Sequence, residues 1–482
     1  SKNIIISSIP GFISIVLSFF SIPIYLNYLG LEKYGNFLIL HIFLTIVMIT
    51  NFNLGKIASI KMQKFSNNNR KSIISTTIFV SFIASFFVSS ALYIVYLFVI
   101  NHYSSLVLYN DKLFFFALFI SNIYVNLENI CKGVRHYYLS SVSNLIFYSF
   151  SLSMPAFFII SDSKIYGNIQ TLFEISIFFK ILSIFLLVIT FAYKKFFNSN
   201  ILSGLIIKDF ILYSKWQTLS STYVQIFDFF DKYLIKIFLG AANLTLYSIP
   251  QQIAGKLSIL SDAIIAVFIP RISSRKKTKD ILNIFNSNFY IFFYLIGISL
   301  IIINPFLDEI IKWWLGKNIN LKIIYLFKIF LLVSFYICIT HIISTFFDTQ
   351  YKSKKNSQIE TIILIFFIFG LVVSVYYKDI NYLTYASFFI ENYYRNLYKK
   401  NINNFAYTIL LRAMLTFVIK AIVVRKNLIN FKMLIIQNLI FCLIFLFSIL
   451  ENYYLFYISS IIFITMSATN VPLNLIKKEF LK

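Results

Sequence analysis

Apolar residues along this chain come in unbroken runs of about 20, separated by short polar clusters. A helical run of that length, at 1.5 Å per residue, crosses a hydrocarbon core of roughly 30 Å. About fourteen such runs can be picked out, near residues 4–29, 34–54, 73–100, 113–131, 139–160, 171–193, 210–239, 243–270, 281–303, 322–347, 359–377, 405–424, 431–450 and 453–472. The pattern predicts an all-α, polytopic membrane protein of 12–14 spans. The first run is too long for a signal-peptide core and reads as a retained helix. The longest loop, near 378–404, is too short for a soluble domain.

Composition agrees. Charged residues make up 13% of the 482, too few to cover the surface of a soluble protein of this size. The net charge of +25 raises nucleic acid as a partner, but its distribution excludes that reading. With the amino terminus cytoplasmic, the basic residues concentrate in alternate hairpins: Lys56 to Lys71, Lys132 and Arg135, Lys194 to Lys215, Arg271 to Lys279, Lys352 to Lys355, Arg425 to Lys432, and Lys477 to Lys482. That is the positive-inside pattern, so these charges set topology. Both termini are expected on the cytoplasmic side. Cys131, Cys338 and Cys442 show neither paired nor metal-ligand spacing, so no disulfide and no metal site is expected.

The chain repeats weakly at a period near 210. Tyr28-Leu29-Gly30 followed by Tyr34-Gly35 joins the first two runs, and Phe238-Leu239-Gly240 followed by Tyr247-Ser248 joins the seventh and eighth. Each second run ends in a basic cluster. A six-helix unit returns the chain to its starting side, so the halves are parallel repeats about an axis along the membrane normal. The expected organisation is two six-helix lobes, 1–200 and 201–424, facing a central cavity, with two added helices and a tail in 425–482.

The stretch Pro23-Ile24-Tyr25-Leu26-Asn27-Tyr28-Leu29-Gly30-Leu31-Glu32-Lys33-Tyr34-Gly35-Asn36-Phe37 resembles the amino-terminal signature of the Wzx-type O-antigen and polysaccharide-unit flippases. Asn53-Leu54-Gly55, Phe230-Asp231-Lys232-Tyr233-Leu234-Ile235 and Leu246-Tyr247-Ser248-Ile249-Pro250 follow that family's order over about residues 1–370. The family has an acid where Asn53 stands, so a carboxylate role there does not transfer. It belongs to the multidrug/oligosaccharidyl-lipid/polysaccharide (MOP) exporter superfamily. The resemblance implies an undecaprenyl-diphosphate-linked oligosaccharide as substrate, with the polymerase and chain-length proteins of the same pathway as partners.

Ionisable side chains at membrane depth are costly and mark candidate sites. The bases Lys180, Lys232, Lys256, Lys328 and Arg412 are candidate cavity cations for a diphosphate, which matches their charge and donors. Asp228, Asp231, Lys236, Asp262 and Glu128 are candidates for coupling a proton or sodium ion, or for structural pairing. Asp228–Lys232 and Lys232–Lys236 have i,i+4 spacing, and Glu128 has Lys132 one turn on. Lys420 near a span end is expected to snorkel. Pro10-Gly11, Pro23, Pro250 and Gly255 are expected to interrupt helices.

No Gly-rich phosphate loop with Lys-Ser or Lys-Thr is present, so no built-in ATPase and no cofactor are expected. An enzyme is the weakest reading: an integral-membrane polysaccharide polymerase would use the basic outer loop 378–404. A multidrug exporter or a lipid II-type flippase shares the superfamily, but a cation exporter needs an acid-rich cavity. The topology is testable. Single cysteines at Glu32, Asp111, Asp308 and Glu451 should react with an impermeant maleimide in spheroplasts, and cysteines at Arg70 and Lys277 should stay unlabelled; the reverse pattern would overturn the map.

Overall fold

In the computed structural model of the protein, the described residues are 2–47, 67–102, 111–134, 136–162, 166–193, 231–237, 239–258, 278–316 and 320–349. To these are added 54, 55, 58, 229, 358, 359, 361, 414, 417, 436, 438, 440, 441, 443, 444 and 458–463. Every element among them is helical: α1 (Lys2–Val47), α2 (Asn67–His102), α3 (Asp111–Gly133), α4 (Tyr137–Asn144), a π turn (Leu145–Phe150), α5 (Ser151–Ser161), α6 (Ile169–Tyr193), α7 (Ala241–Gly255), α8 (Thr278–Ile303), α9 (Leu307–Leu315) and α10 (Leu321–Thr349). Six helical stretches among the described residues are long and apolar enough to cross a bilayer.

The reason is solvent. Hydrocarbon offers no partner for a backbone N–H or C=O, so the chain must pair its own. Several hydroxyls turn back to the backbone in the same way. On α2, Thr76 and Thr77 donate to the carbonyls of Ser72 and Ile73 at 2.8 and 2.7 Å, and Ser81 and Ser90 to those of Ile78 and Phe86. The outward face of α2 presents Phe79, Phe82, Phe86 and Phe87, each about half exposed or more, as suits a lipid contact.

The first two predicted spans form one long helix with a corner at Gly30, where φ is 73° and ψ 175°. A side chain would strain that left-handed conformation, although nothing lies within 4 Å of where its Cβ would be. Gly240 makes the matching corner before α7, with φ 87° and open space beside it. Pro10 and Pro23 sit inside α1 without ending it. The eighth span does break where expected: α7 stops at Gly255, and Lys256 and Leu257 form a turn.

Two compact units divide the chain, Ser1–Thr245 and Leu246–Lys482. In the first, α2 and α3 pack as a hairpin, with Phe82 against Phe119 and Phe86 against Phe115. Tyr25 stacks on Tyr34 at 4.8 Å, and Phe43 meets Tyr96 and Phe114. In the second, Phe335 stacks on Phe441 at 4.1 Å and Phe293 meets Phe463, so residues of the last predicted spans pack against α8 and α10. The buried Tyr336 hydroxyl donates to Asn438 Oδ1 at 2.9 Å in the same unit.

The short α9 lies in what the sequence presents as a loop. Leu307 and Ile311 point inward, whereas Phe306, Ile310 and Trp313 are exposed along one side. Nine residues cannot span a membrane, which is why a search for long apolar runs passes over it.

Gly55 shows how tightly helices approach. Its N–H donates to Asn126 Oδ1 at 2.9 Å, and an added Cβ would collide with the Asn126 carbonyl oxygen. Gly55→Ala is therefore expected to force the two backbones apart, at a cost of about 1–3 kcal/mol. The check is thermal unfolding in detergent; an unchanged Tm would show that the contact gives way freely.

Candidate functional site

The polar interior of the first unit is organised by a proline. Pro155 lacks an N–H, so the carbonyl of Ser151, four residues earlier, loses its helical donor. The buried Ser176 hydroxyl of α6 donates to that carbonyl. Its single proton being committed there, the Ser176 oxygen accepts from His41 Nε2 of α1 at 3.2 Å. The Tyr25 hydroxyl donates to the carbonyl of Leu152 at 2.7 Å. Three helices, α1, α5 and α6, are thus tied together at one level. The π turn just before α5 adds a residue per turn and swings Phe147 inward.

Phe147 carries a cation. One face stacks on Tyr124 with centroids 3.7 Å apart and planes within 4°. Lys180 Nζ lies 3.9 Å from the ring centroid, on the other face. Lys180 is only 3% exposed, and among the described residues it has no ion-pair partner. The ring quadrupole supplies part of what a carboxylate would.

Glu128 is engaged otherwise. It pairs with Lys132 at 2.7 Å, as the i,i+4 spacing predicts, and accepts from Asn144 Nδ2 at 2.9 Å and the Ser140 hydroxyl at 3.5 Å. Lys132 is half exposed, whereas Glu128 is buried. Three donors converge on this carboxylate.

In the helical stretch 231–237, part of the seventh predicted span, Asp231 is fully buried and its Oδ1 accepts from the backbone N–H of Lys232 at 2.7 Å. Lys232 itself is half-buried. Lys236 is 8% exposed, and among the described residues its ammonium finds no hydrogen-bond partner. The i,i+4 ladder therefore does not neutralise it. In the second unit, Lys256 sits in the turn after α7, half-buried. Lys328 of α10 pairs with Asp308 of α9 at 3.1 Å, an acid that the sequence suggests only as a loop residue. Asp228, Asp262 and Arg412 lie outside the described residues.

The candidate cations thus fall into distinct classes. Lys328 is ion-paired, Lys232 and Lys256 are partly exposed, and Lys180 and Lys236 are buried with no carboxylate partner among the described residues. No described contact joins any two of the five. Among the described residues no three His, Cys, Asp or Glu side chains converge as metal ligands would. Sequence reasoning passed over the Pro155–Ser176–His41 link and the Phe147 platform. Pro155 inside an apolar run was the available signal for the first.

A family profile described as "Polysaccharide biosynthesis protein" matches residues 1–276. An O-antigen transporter of Shigella flexneri is 24% identical over 273 residues, 55% of this chain and 56% of that protein, so the match spans about half of each. The lipid II flippase MurJ, in an inward closed conformation, superposes with a TM-score of 0.62 at 13% identity, covering 96% of this chain and 98% of that one. The MATE multidrug transporter DinF-BH gives 0.64 at 11% identity, covering 88% and 95%. A MOP superfamily transporter from Pyrococcus furiosus, described as having reversed polarity of its binding pocket, gives 0.58 at 13% identity over 88% and 96%. The fold is that of this superfamily, and the protein is a multi-pass membrane protein.

The proline link makes a double-variant test. Ser176→Ala strands the Ser151 carbonyl and is expected to cost about 1–3 kcal/mol. Adding Pro155→Ala returns an N–H to that carbonyl and should recover most of the loss. Thermal unfolding of the two single variants and the double decides; simple additivity would show that the carbonyl is satisfied some other way.

Proposed function

The chain belongs to the polysaccharide biosynthesis protein family, and from that premise we propose that it is a flippase for a polyprenyl-diphosphate-linked oligosaccharide. The cargo on this reading is an undecaprenyl-diphosphate-linked repeat unit of O-antigen, capsule or a related glycan. It passes from the inner to the outer leaflet of the bacterial cytoplasmic membrane by alternating access. The protein is a transporter, not an enzyme: its work is translocation, with no bond of the cargo made or broken.

The observation that carries the reading is the sign of the unpaired charge. Among the described residues Lys180 and Lys236 are buried with no carboxylate partner, whereas the buried acid Glu128 already has Lys132, Asn144 and Ser140. An unpaired ammonium in a medium of low polarity is costly, and a visiting anion relieves it. A diphosphate brings about two negative charges and oxygens that accept N–H donors. A cationic drug would bring the wrong sign. In this mechanism Lys236, with Lys232 beside it on the seventh helix, draws the diphosphate in. Lys180, held over Phe147, adds to the positive potential from within its unit. The sugars follow the head group, and the polyprenyl tail stays in the lipid. A proton or sodium gradient, or the consumption of product outside, drives the cycle.

The test separates function from stability. Lys180→Met and Lys236→Met remove an uncompensated buried charge, so each variant should be as stable as the parent or more so. Each should nonetheless lower surface glycan in a host that depends on this protein, with the lipid-linked repeat unit accumulating on the cytoplasmic leaflet. Lys→Arg at either position should retain more export than Met. Full export by both Met variants would remove these lysines from the mechanism.

A further inference from the structure

We propose that α9 is an interfacial helix: it lies flat at the boundary between lipid headgroups and acyl chains, with Phe306, Ile310 and Trp313 inserted among the lipids. Its partner is the phospholipid bilayer, and the inference holds whatever the protein carries.

α9 is held across a spanning helix, not along it. Its first turn reaches α10 through Asp308, whose carboxylate lies 3.1 Å from Lys328 Nζ. Its last turn reaches the same helix through Trp314, whose ring centroid lies 6.3 Å from that of Phe327. Asp308 and Trp314 are separated by about 9 Å of helix axis, at 1.5 Å per residue. A helix running alongside α10 would spread those two contacts over nearly two turns of its neighbour. Phe327 and Lys328 are instead consecutive. The two axes therefore cross, and α9 lies nearer the plane of the membrane than its normal.

The same contacts set its depth. α10 has 29 residues, about 43 Å of helix against a hydrocarbon core of roughly 30 Å, so about a turn at each end reaches the headgroup layer. Phe327 and Lys328 stand about 10 Å in from the first residue of α10. α9 is thus pinned where headgroups give way to acyl chains.

Its side chains sort into three sectors at the helical period. Leu307 and Ile311 are buried against the protein. Glu309 and Lys312 are exposed and polar. Phe306, Ile310 and Trp313, at i, i+4 and i+7, are exposed and apolar, Trp313 to 77%. A surface helix bathed in water gains nothing from that third sector. One lying in the interface uses all three: protein beside it, headgroups and water above, acyl chains below. The apolar sector also continues the outward surface of α8, whose last residues, Ile302 and Ile303, are exposed. Tryptophan suits this level, with an apolar ring and one N–H donor. Lys312 beside it brings a charge that lipid phosphates complement.

The test reads the depth of Trp313 in the full chain, reconstituted at low density into vesicles of phosphatidylcholine and phosphatidylglycerol. Part of the phosphatidylcholine carries bromine, a short-range quencher of indole, either near the headgroup end or near the methyl end of its acyl chains. The Trp313 signal is the emission lost on Trp313→Phe, a change that leaves Trp216 and Trp314 in place. The double variant Trp216→Phe, Trp314→Phe reads Trp313 directly. That emission should fall most with bromine near the headgroup end, and aqueous iodide should leave it nearly unchanged. Quenching by iodide and not by bromine would put the face in water and overturn the proposal. Strongest quenching from the methyl end would put the helix in the bilayer core and overturn it equally. Bromine quenching that vanishes as protein density rises would give the face to a second copy of the chain, and the lipid assignment falls.

Discussion

Every polar group in this protein must find its partner inside the chain, because the bilayer interior supplies none. The consequences run from backbone to side chain. All described elements are helical. The hydroxyls of Thr76, Thr77 and Ser81 return to carbonyls of their own helix. Where the helix itself fails, at Pro155, a neighbouring helix supplies the donor through Ser176, and that repair ties α1, α5 and α6 together. Gly55 and Asn126 solve the same problem at a close backbone approach. With so many groups satisfied, those left over become informative. Among the described residues, the Lys236 ammonium is one of the buried groups left without a hydrogen-bond partner, and the buried Lys180 has no ion-pair partner.

A second constraint is steric, and it falls on a few glycines. Gly30 and Gly240 serve conformation, since the space around them is open. Gly35 and Gly55 serve proximity, since a methyl group would collide with backbone at each. The distinction matters for motion. A glycine that permits a turn can act as a pivot, whereas a glycine that permits contact fixes how closely two helices sit when they meet.

Much of the architecture was legible in the chain because span length and apolar continuity are strong signals. The described helices α2, α3, α6, α8 and α10 lie where apolar runs predicted spans. The corner at Gly30 and the break at Gly255 were also visible, glycine being the residue that marks each. The Glu128–Lys132 pair followed from i,i+4 spacing alone. What could not be read depends on contacts between segments far apart in sequence. Lys328 finds Asp308 only because α9 folds back beside α10. Lys180 finds Phe147 only because a π turn shifts the register of the helix carrying it.

The charge balance gives the fold its direction. MATE multidrug transporters and a lipid II flippase share this helical framework at 13% identity or less, so the framework itself does not choose a cargo. What differs between members must lie in side chains, and the cheapest difference is the sign of the charge left unpaired. Here the acids are committed locally: Glu128 to Lys132 and two neutral donors, Asp308 to Lys328, and Asp231 to a backbone N–H. The ion pairs with Lys132 and Lys328 neutralise Glu128 and Asp308 close to home. On the proposed reading, the structural ion pairs and the transport site belong to one electrostatic arrangement, in which satisfying the acids close to home keeps two buried lysines waiting for an anion.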